Sequence, residues 1–270
     1  MTDVDLVGLG VWSEAFSDWG GFCSVMQGDQ IEASAAPAPQ LIPAKERRRA
    51  PASVKMAVEV MDQACRMAAL DPSRVATVFA SAIGDMQITD YMCRTLATEP
   101  RAISPTRFHN SVHNAATGYW SIATGSHSPA NAVSGYSNSV WVALLEGAIQ
   151  AVEEQIPVLV AAQEVAAPAP FSSIYRVCQP FAVALLLAPA GFSASSLASM
   201  QLAVSCGEVE SPALPRLAGD GLAGNYAARS LPLLEIIAKD RDAELQFPLS
   251  ASRSLSISVS AGCQATRSGG

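Results

Sequence analysis

The stretch that decides the fold reads Ser104-Pro-Thr-Arg-Phe-His-Asn-Ser-Val-His-Asn-Ala-Ala-Thr-Gly-Tyr-Trp-Ser-Ile-Ala-Thr-Gly125, and it resumes as Ala130-Asn-Ala-Val-Ser-Gly-Tyr-Ser-Asn-Ser-Val140. Its residue pattern predicts a helix over 110–124, a short strand over 130–134 and a long helix over 137–153. This order of strand, turn and helix is typical of a site that presents one side chain at a helix start.

Predicted strands and helices alternate on both sides of this stretch. Continuous apolar runs predict buried strands over 4–11, 74–81, 156–162 and 181–187. Helical spacing predicts helices over 53–70 and 87–97, whereas the glycines and prolines of 12–43 indicate a long irregular excursion. This alternation predicts an α/β layered fold.

The pattern changes after residue 190. It predicts a strand over 202–206, a helix over 227–239 with Ser230 as its N-cap, and an edge hairpin made of 245–249 and 255–259. Residues 212–224 are interpreted as a loop and 264–270 as a frayed tail. We expect the whole chain, 1–270, to form a single domain.

The composition limits the classes of function. Half of the 270 residues are hydrophobic and 15% are charged, which indicates either a large core or a surface buried against a partner. The net charge of −7 argues against binding to nucleic acid, and no apolar run is long enough to span a membrane. Six widely separated cysteines and a start without a signal-peptide pattern predict a reduced, cytoplasmic protein.

One basic cluster, Lys45-Glu-Arg-Arg-Arg49, interrupts this acidic sequence. A solvated face at a helix start is the ordinary interpretation. A docking patch for an acidic partner is the alternative.

The histidines raise the question of a metal site. His109 and His113 are spaced to share one helical face, as in zinc-binding helices. Asn110 stands where the protease motif has Glu, however, and no third ligand is indicated. We therefore expect polar contacts at a helix start, and neither a metal nor a cofactor.

The turn Gly135-Tyr-Ser-Asn-Ser139 raises the question of a serine nucleophile. It departs from the G-x-S-x-G elbow because Ser139 replaces the second glycine. Ser137 would need His109 or His113 as its base. Helix capping by Ser137 and Ser139 is the favoured interpretation, and a serine-dependent acyltransferase or thioesterase is an alternative function.

Several motifs, taken in order, resemble the N-terminal half of a β-ketoacyl synthase. They are Arg101-Ala-Ile-Ser-Pro105, Asn114 with Gly118, Gly125 with Pro129, and Val158-Leu-Val-Ala-Ala-Gln-Glu164. Residues 49–85 add to the resemblance, which covers about 1–190. It implies a thiolase-like fold with a complete first half over 1–190 and a reduced second half over 191–263.

The resemblance also implies that the family's catalytic groups are missing. The family's acyl-accepting cysteine precedes the long helix, and counting from Asn114 places Ser137 there, whereas counting from Glu164 places Tyr136 there. The family's two catalytic histidines belong to the second half of its fold, and this chain has no histidine after His127. We therefore expect the chain by itself not to condense acyl groups.

Synthase-like proteins without the cysteine are chain-length factors, which pair with an active synthase. The string from Phe108 to Trp120 resembles chain-length-factor-like subunits of aryl polyene and xanthomonadin-type pigment biosynthesis. The resemblance implies a heterodimer with a β-ketoacyl synthase, and contact with an acyl carrier protein mainly through that partner. A non-catalytic scaffold homodimer is a further alternative.

The same resemblance implies a tunnel and interface region. Thr106, Arg107 and Phe108 are expected to shape the end of the partner's tunnel, and Tyr136 or Trp141 to fill the space of an acyl chain in this subunit. Core packing is the alternative for Phe108, Tyr136 and Trp141. The strand over 130–134 is expected to pair across the dimer, and the remaining residues assigned to this region are His109, Asn114, Trp120, Ala132 and Val133.

Overall fold

The computed structural model describes residues 1–29, 32–193, 195–215 and 220–262. In these residues one sheet contains the strands β1 (Thr2–Ser13), β2 (Ala76–Ala80), β3 (Ala130–Val133), β4 (Val158–Glu164), β5 (Phe181–Pro189), β6 (Ala198–Cys206), β7 (Ala243–Ser250) and β8 (Arg253–Ala261). Their order in the sheet is β3-β2-β4-β5-β1-β6-β8-β7. The prediction of an α/β layered fold is confirmed.

Helices pack on both faces of this sheet. The longer ones are α1 (Trp19–Gln27), α3 (Ala52–Met67), α4 (Met86–Thr98), α6 (Ala115–Thr124), α7 (Ser139–Glu154) and α9 (Leu231–Ala238). Short helical segments are α2 (Ala44–Arg47), α5 (Pro105–His109) and α8 (Ser172–Tyr175). In the described part of the chain, no helix is both long and apolar enough to cross a membrane.

The centre of the sheet is buried on both faces. β2 pairs in parallel with β3 and with β4, whereas β5 pairs antiparallel with β4 and with β1. Every residue of β2, β4 and β5 is buried, which explains their continuous apolar sequences. Because β2 and β4 are parallel, their C-terminal ends lie side by side at the same end of the strands, which is a usual place for a site in α/β folds.

Two apolar cores lie on opposite faces of the sheet. α3 and α6 pack on one face, and α7 with α9 on the other. α3 approaches β1 so closely that a Cβ atom on Gly8 would lie 2.2 Å from the carbonyl oxygen of Ala64. Glycine is therefore required at this position in β1 by the contact between strand and helix.

Two predicted segments differ in the structure. The excursion over 12–43 contains α1. The Asp18 carboxylate caps its start by accepting a hydrogen bond from the Gly21 N–H (2.8 Å), and Gly28, with φ 92°, is its C-cap. The helix predicted over 110–124 begins only at Ala115, because the preceding residues form a turn after α5. His109 and His113 therefore do not share one helical face, and that part of the prediction is wrong.

The C-terminal part confirms the edge hairpin, since β7 and β8 pair antiparallel and β7 is the last strand of the sheet. The helix predicted over 227–239 is a 3-10 turn over 227–230 followed by α9. Ser230 occupies the N-cap position of α9, as predicted, but its hydroxyl donates to the Ala227 carbonyl (2.8 Å) and makes no capping bond to the helix. Asn225 Oδ1 accepts from the Ala227 N–H (2.9 Å). Cys263 and the tail over 264–270 lie outside the described residues, and the division of the chain into a single domain with two halves stays a prediction.

Candidate functional site

The turn between β3 and α7 is a strained elbow. Tyr136 has φ 51°, a backbone conformation that is costly for a residue with a Cβ atom. The Ser139 hydroxyl closes the elbow, because it accepts from the Gly135 N–H (3.0 Å) and donates to the Tyr136 carbonyl (2.7 Å). These hydrogen bonds join Ser139 to residues before α7 and not to N–H groups of the helix, and among the described residues no side chain caps the start of α7, so the predicted capping by Ser137 and Ser139 is wrong. Within the described residues, the Ser137 hydroxyl has no hydrogen-bond partner.

A residue from the C-terminal part holds the side chain at the elbow. The Tyr226 hydroxyl lies 3.2 Å from the Tyr136 hydroxyl, and the two ring centroids are 5.3 Å apart. Burial, together with the hydrogen bond to Tyr136, raises the pKa of Tyr226 to about 12. The Arg229 guanidinium lies 5.9 Å from the Tyr226 ring, and burial lowers its pKa. The elbow thus presents a phenol that is hydrogen-bonded and half-exposed.

A polar cleft of about 390 Å³ opens beside the elbow at the C-terminal ends of β2 and β4. Tyr136, His113, Asp85 and Gln163 are among the residues that line it. His113 Nε2 lies 2.9 Å from the Ser81 carbonyl oxygen, so this ring contacts the loop after β2 and not Ser137. No imidazole of the described residues bonds to Ser137, so no serine–histidine pair is present in that part of the chain.

Glu164, at the end of β4, is a buried acid whose role is not predictable from its place in the sequence motif. Its carboxylate accepts hydrogen bonds from the Ala82 N–H and from the Ser81 hydroxyl (3.1 Å), although the side chain is almost completely buried. Burial raises the pKa of Glu164 to about 8, and these hydrogen bonds oppose the shift. A charged residue at the end of a continuous apolar strand was the signal in the sequence. Glu164 fixes the loop on which His113 rests.

A second cavity, an apolar groove of about 600 Å³, lies between α2, α5 and α6. It brings together three residues that were assigned to the interface, namely Thr106, His109 and Asn114. Val112 and Ile122 line the same groove and are 51% and 84% exposed. His109 and His113 thus face different cavities, and among the described residues no cluster of three potential metal-ligating side chains occurs.

The other residues assigned to the tunnel and interface have different environments. Phe108 is 61% exposed, so core packing is wrong for this side chain, and the Arg107 guanidinium lies 4.0 Å from the centre of the Tyr91 ring. Trp120 and Trp141 are fully buried, and Trp141 stacks on Phe247 with the ring centroids 3.6 Å apart. Trp141 therefore packs in the core.

Ala132 and Val133 lie in β3, which forms one edge of the sheet. Both residues are half-buried, whereas Ala130 and Asn131 are exposed. The Thr77 N–H of β2 donates to the Pro129 carbonyl (2.9 Å), and alternate residues of a strand face the same neighbour, so the backbone groups of Ala130 and Ala132 point to the open edge.

Comparisons with known proteins agree with this geometry. The family described as "Beta-ketoacyl synthase, N-terminal domain" matches residues 20–243. No curated protein sequence matches the chain.

Three solved structures are similar over nearly the whole chain. One is the ketosynthase ApeO in complex with its chain length factor ApeC from Xenorhabdus doucetiae (20% identity, TM-score 0.69, 96% of this chain and 99% of that chain). The second is AntDE:AntF, a type II PKS acyl-carrier protein in complex with its ketosynthase bound to the hexaketide (12% identity, TM-score 0.75, 97% and 100%). The third is the ishigamide ketosynthase/chain length factor (13% identity, TM-score 0.72, 97% and 99%). The fold is therefore the thiolase-like fold of ketosynthases, as predicted.

Proposed function

Because this chain belongs to the family of β-ketoacyl synthase N-terminal domains, we propose that it is a non-catalytic, chain-length-factor-like partner of an active β-ketoacyl synthase. The two form a heterodimer that elongates an acyl chain bound to a carrier protein. The carrier protein contacts the complex mainly through the synthase, in the cytoplasm. Solved complexes of a ketosynthase with a chain length factor are among the similar structures, which supports this assignment.

The observation that carries the proposal is the side chain at the elbow. The strained position in a nucleophile elbow is the one that presents the nucleophile, and here the residue with φ 51° is Tyr136, not Ser137. We therefore assign Tyr136 to the position of the family's cysteine. Its phenol is hydrogen-bonded to Tyr226 and has no imidazole partner among the described residues. Condensation needs a thiolate to accept the acyl chain, and the elbow residue has no thiol.

The proposed role is steric and organisational. The exposed Phe108, with Thr106 and Arg107 beside it on α5, shapes the end of the partner's acyl tunnel. One more two-carbon unit would then overlap packed atoms, which is costly in a dense interior. Tyr136 fills the space that an acyl chain would occupy in this subunit. The polyene class of product rests on the resemblance of the string from Phe108 to Trp120.

The test is reconstitution with a candidate synthase and its carrier protein. We expect this chain to co-elute with the synthase in size-exclusion chromatography and to be inactive in condensation when it is alone. Replacing the synthase's nucleophilic cysteine by alanine is expected to abolish condensation, whereas Tyr136→Cys in this chain restores none. A chain that is dimeric alone and binds no synthase, or that condenses acyl groups by itself, contradicts the proposal.

The steric part has its own test, Phe108→Ala in the assembled complex. Shortening this side chain is expected to lengthen the longest product by about one two-carbon unit, because the tunnel end recedes by the length of a ring. Mass spectrometry of the carrier-bound products measures the shift. Leu96→Ala, another exposed apolar residue, on α4, is the control. An unchanged product distribution would refute Phe108 as the gate while leaving the heterodimer intact.

A further inference from the structure

The groove between α2, α5 and α6 exposes apolar surface beside the β3 edge. Val112 and Ile122 line it and are largely exposed, and Tyr119 and Ala123 extend its apolar lining along α6. Contiguous exposed apolar surface with a polar rim is typical of a site that binds another molecule. α6, which lines the groove, also contacts β3, the strand at the open edge of the sheet.

One wall of the groove carries a cation without a partner. Within the described residues, the Arg49 guanidinium has no carboxylate within 4.0 Å and makes no side-chain hydrogen bond. The nearby Arg47 differs, because it donates to the Ala38 and Pro39 carbonyls (3.3 and 3.0 Å). His109 lies on the opposite wall, on α5.

The surroundings of Arg49 are positive although the whole chain is acidic. Lys45 and Arg48 are exposed next to the groove, and Glu46 is the acidic residue among those that line it. A partner surface that fits here needs an apolar side chain for the groove and carboxylates for its rim. Within the cluster from Lys45 to Arg49, the cation that lines the groove is Arg49, so the docking role is assigned to this residue.

We propose that this groove receives a bulky apolar side chain of the partner synthase, flanked by a carboxylate that pairs with Arg49. The inference rests on the proposed function and identifies the chemistry of the matching surface. The synthase is the favoured occupant because a partner that pairs along β3 lies directly beside α6.

Arg49→Glu tests the proposal, with Arg48→Glu as the matched control because Arg48 is exposed on the same segment but does not line the groove. The dissociation constant of the complex with purified synthase is measured by titration calorimetry at low and high salt. We expect Arg49→Glu to weaken binding by at least about tenfold and Arg48→Glu by less than about threefold. The salt dependence of binding is expected to shrink in Arg49→Glu.

A second variant, Ile122→Asp, tests the apolar component and is expected to weaken binding at both salt concentrations. Thermal unfolding shows whether each variant is folded. If the wild-type chain binds and Arg49→Glu weakens binding by less than about tenfold, this inference is overturned and the proposed function stands. If the wild-type chain binds no synthase, both are overturned.

Two other occupants of the groove, the carrier protein and a second copy of this chain, would each give a different experimental result. If Arg49→Glu leaves the complex with the synthase intact but releases the carrier protein from it, the groove serves the carrier protein and the inference is overturned. If the chain is a dimer by itself and Arg49→Glu makes it monomeric in sedimentation, the occupant is a second copy and the inference is overturned as well.

Discussion

The two edge strands of the sheet differ in how well their residues protect them from pairing with a strand of another chain. β7, at one edge, carries the exposed Glu244 and also Pro248, which has no N–H to donate to a neighbouring strand. β3, at the other edge, is Ala-Asn-Ala-Val and has neither a charge nor a proline. Proteins protect free edges with charges, prolines and bulges, because an unprotected edge pairs with another chain. The contrast favours β3 as the edge built for a partner and β7 as the edge built to remain single.

The surroundings of the two edges follow the same division. Beside β3 lie the exposed Ile122 and the groove with Arg49. Beside β7, the aromatic ring of Phe247 is buried inward against Trp141. Near β7 the apolar side chain of Phe247 thus stabilises the subunit itself, whereas near β3 the apolar side chain of Ile122 remains exposed and available for contact with a partner.

The largest expected effect is the loss of the contact that fixes β7 to α7. Trp141→Ala is expected to lower the free energy of unfolding by about 3–5 kcal/mol, because it removes a fully buried ring and leaves a cavity under Phe247. Urea unfolding measures the change. Ile149→Ala, on the exposed side of the same helix, is the control and is expected to cost less than about 1 kcal/mol. Equal losses would mean that the Trp141 contact does not anchor the β7 end.

The next largest expected effect is a pH dependence of the free energy of unfolding, caused by Glu164 at the end of β4. The pKa of Glu164 in the folded chain is raised by burial to about 8, above the value of 4.5 for an unperturbed glutamate. The folded state therefore binds more protons than the unfolded state between these values, and stability falls as the pH rises through this range. From pH 5 to pH 8.5 we expect a loss of as much as about 4 kcal/mol.

Glu164→Gln removes the titrating group, so this part of the pH dependence is expected to disappear. Urea unfolding at a series of pH values measures it in both proteins. A variant with the same slope as the wild type would show that another group is responsible.

Proline substitutions test the two sides of β3 separately, namely the open edge and the side that pairs with β2. Ala132→Pro removes an N–H that points to the open edge and is expected to weaken binding to the synthase by at least about tenfold while the chain stays folded. Asn131→Pro removes an N–H that points to β2 and is expected to lower the free energy of unfolding instead, by about 1–3 kcal/mol. Titration calorimetry and urea unfolding measure both variants. If Ala132→Pro binds as the wild type does, β3 does not pair with the partner.

The smallest expected effect follows from removing the two residues that protect the β7 edge from pairing. Replacing Glu244 and Pro248 together by valine removes the charge and supplies an N–H, so β7 is expected to acquire weak self-association at high concentration. Sedimentation velocity measures it, and Gln246→Val alone is the control that keeps both protective residues. No association in the double variant would show that β7 is protected by something other than these two residues.

Much of the fold was predictable because it depends on local patterns. The continuous apolar runs of β2, β4 and β5 and the helical spacing of α3 are read along the chain without knowledge of its neighbours. α1 was missed because glycines in its first turn favour a loop, and it forms only with the Asp18 cap and with Phe22 packed in the core. The late start of α6 was missed because the turn before it depends on hydrogen bonds that hydrophobic spacing does not encode.

At the site, the sequence by itself determined which groups are present: a turn before α7 with tyrosine and serines but no cysteine, and no histidine after His127. The tertiary structure decided which residue occupies the elbow, because backbone strain at Tyr136 and not composition distinguishes it from Ser137. It also decided that Tyr226 holds this side chain and that Glu164 supports the neighbouring loop. Such contacts join residues far apart in the chain, and only the packing of strands and helices against each other brings them within hydrogen-bonding distance.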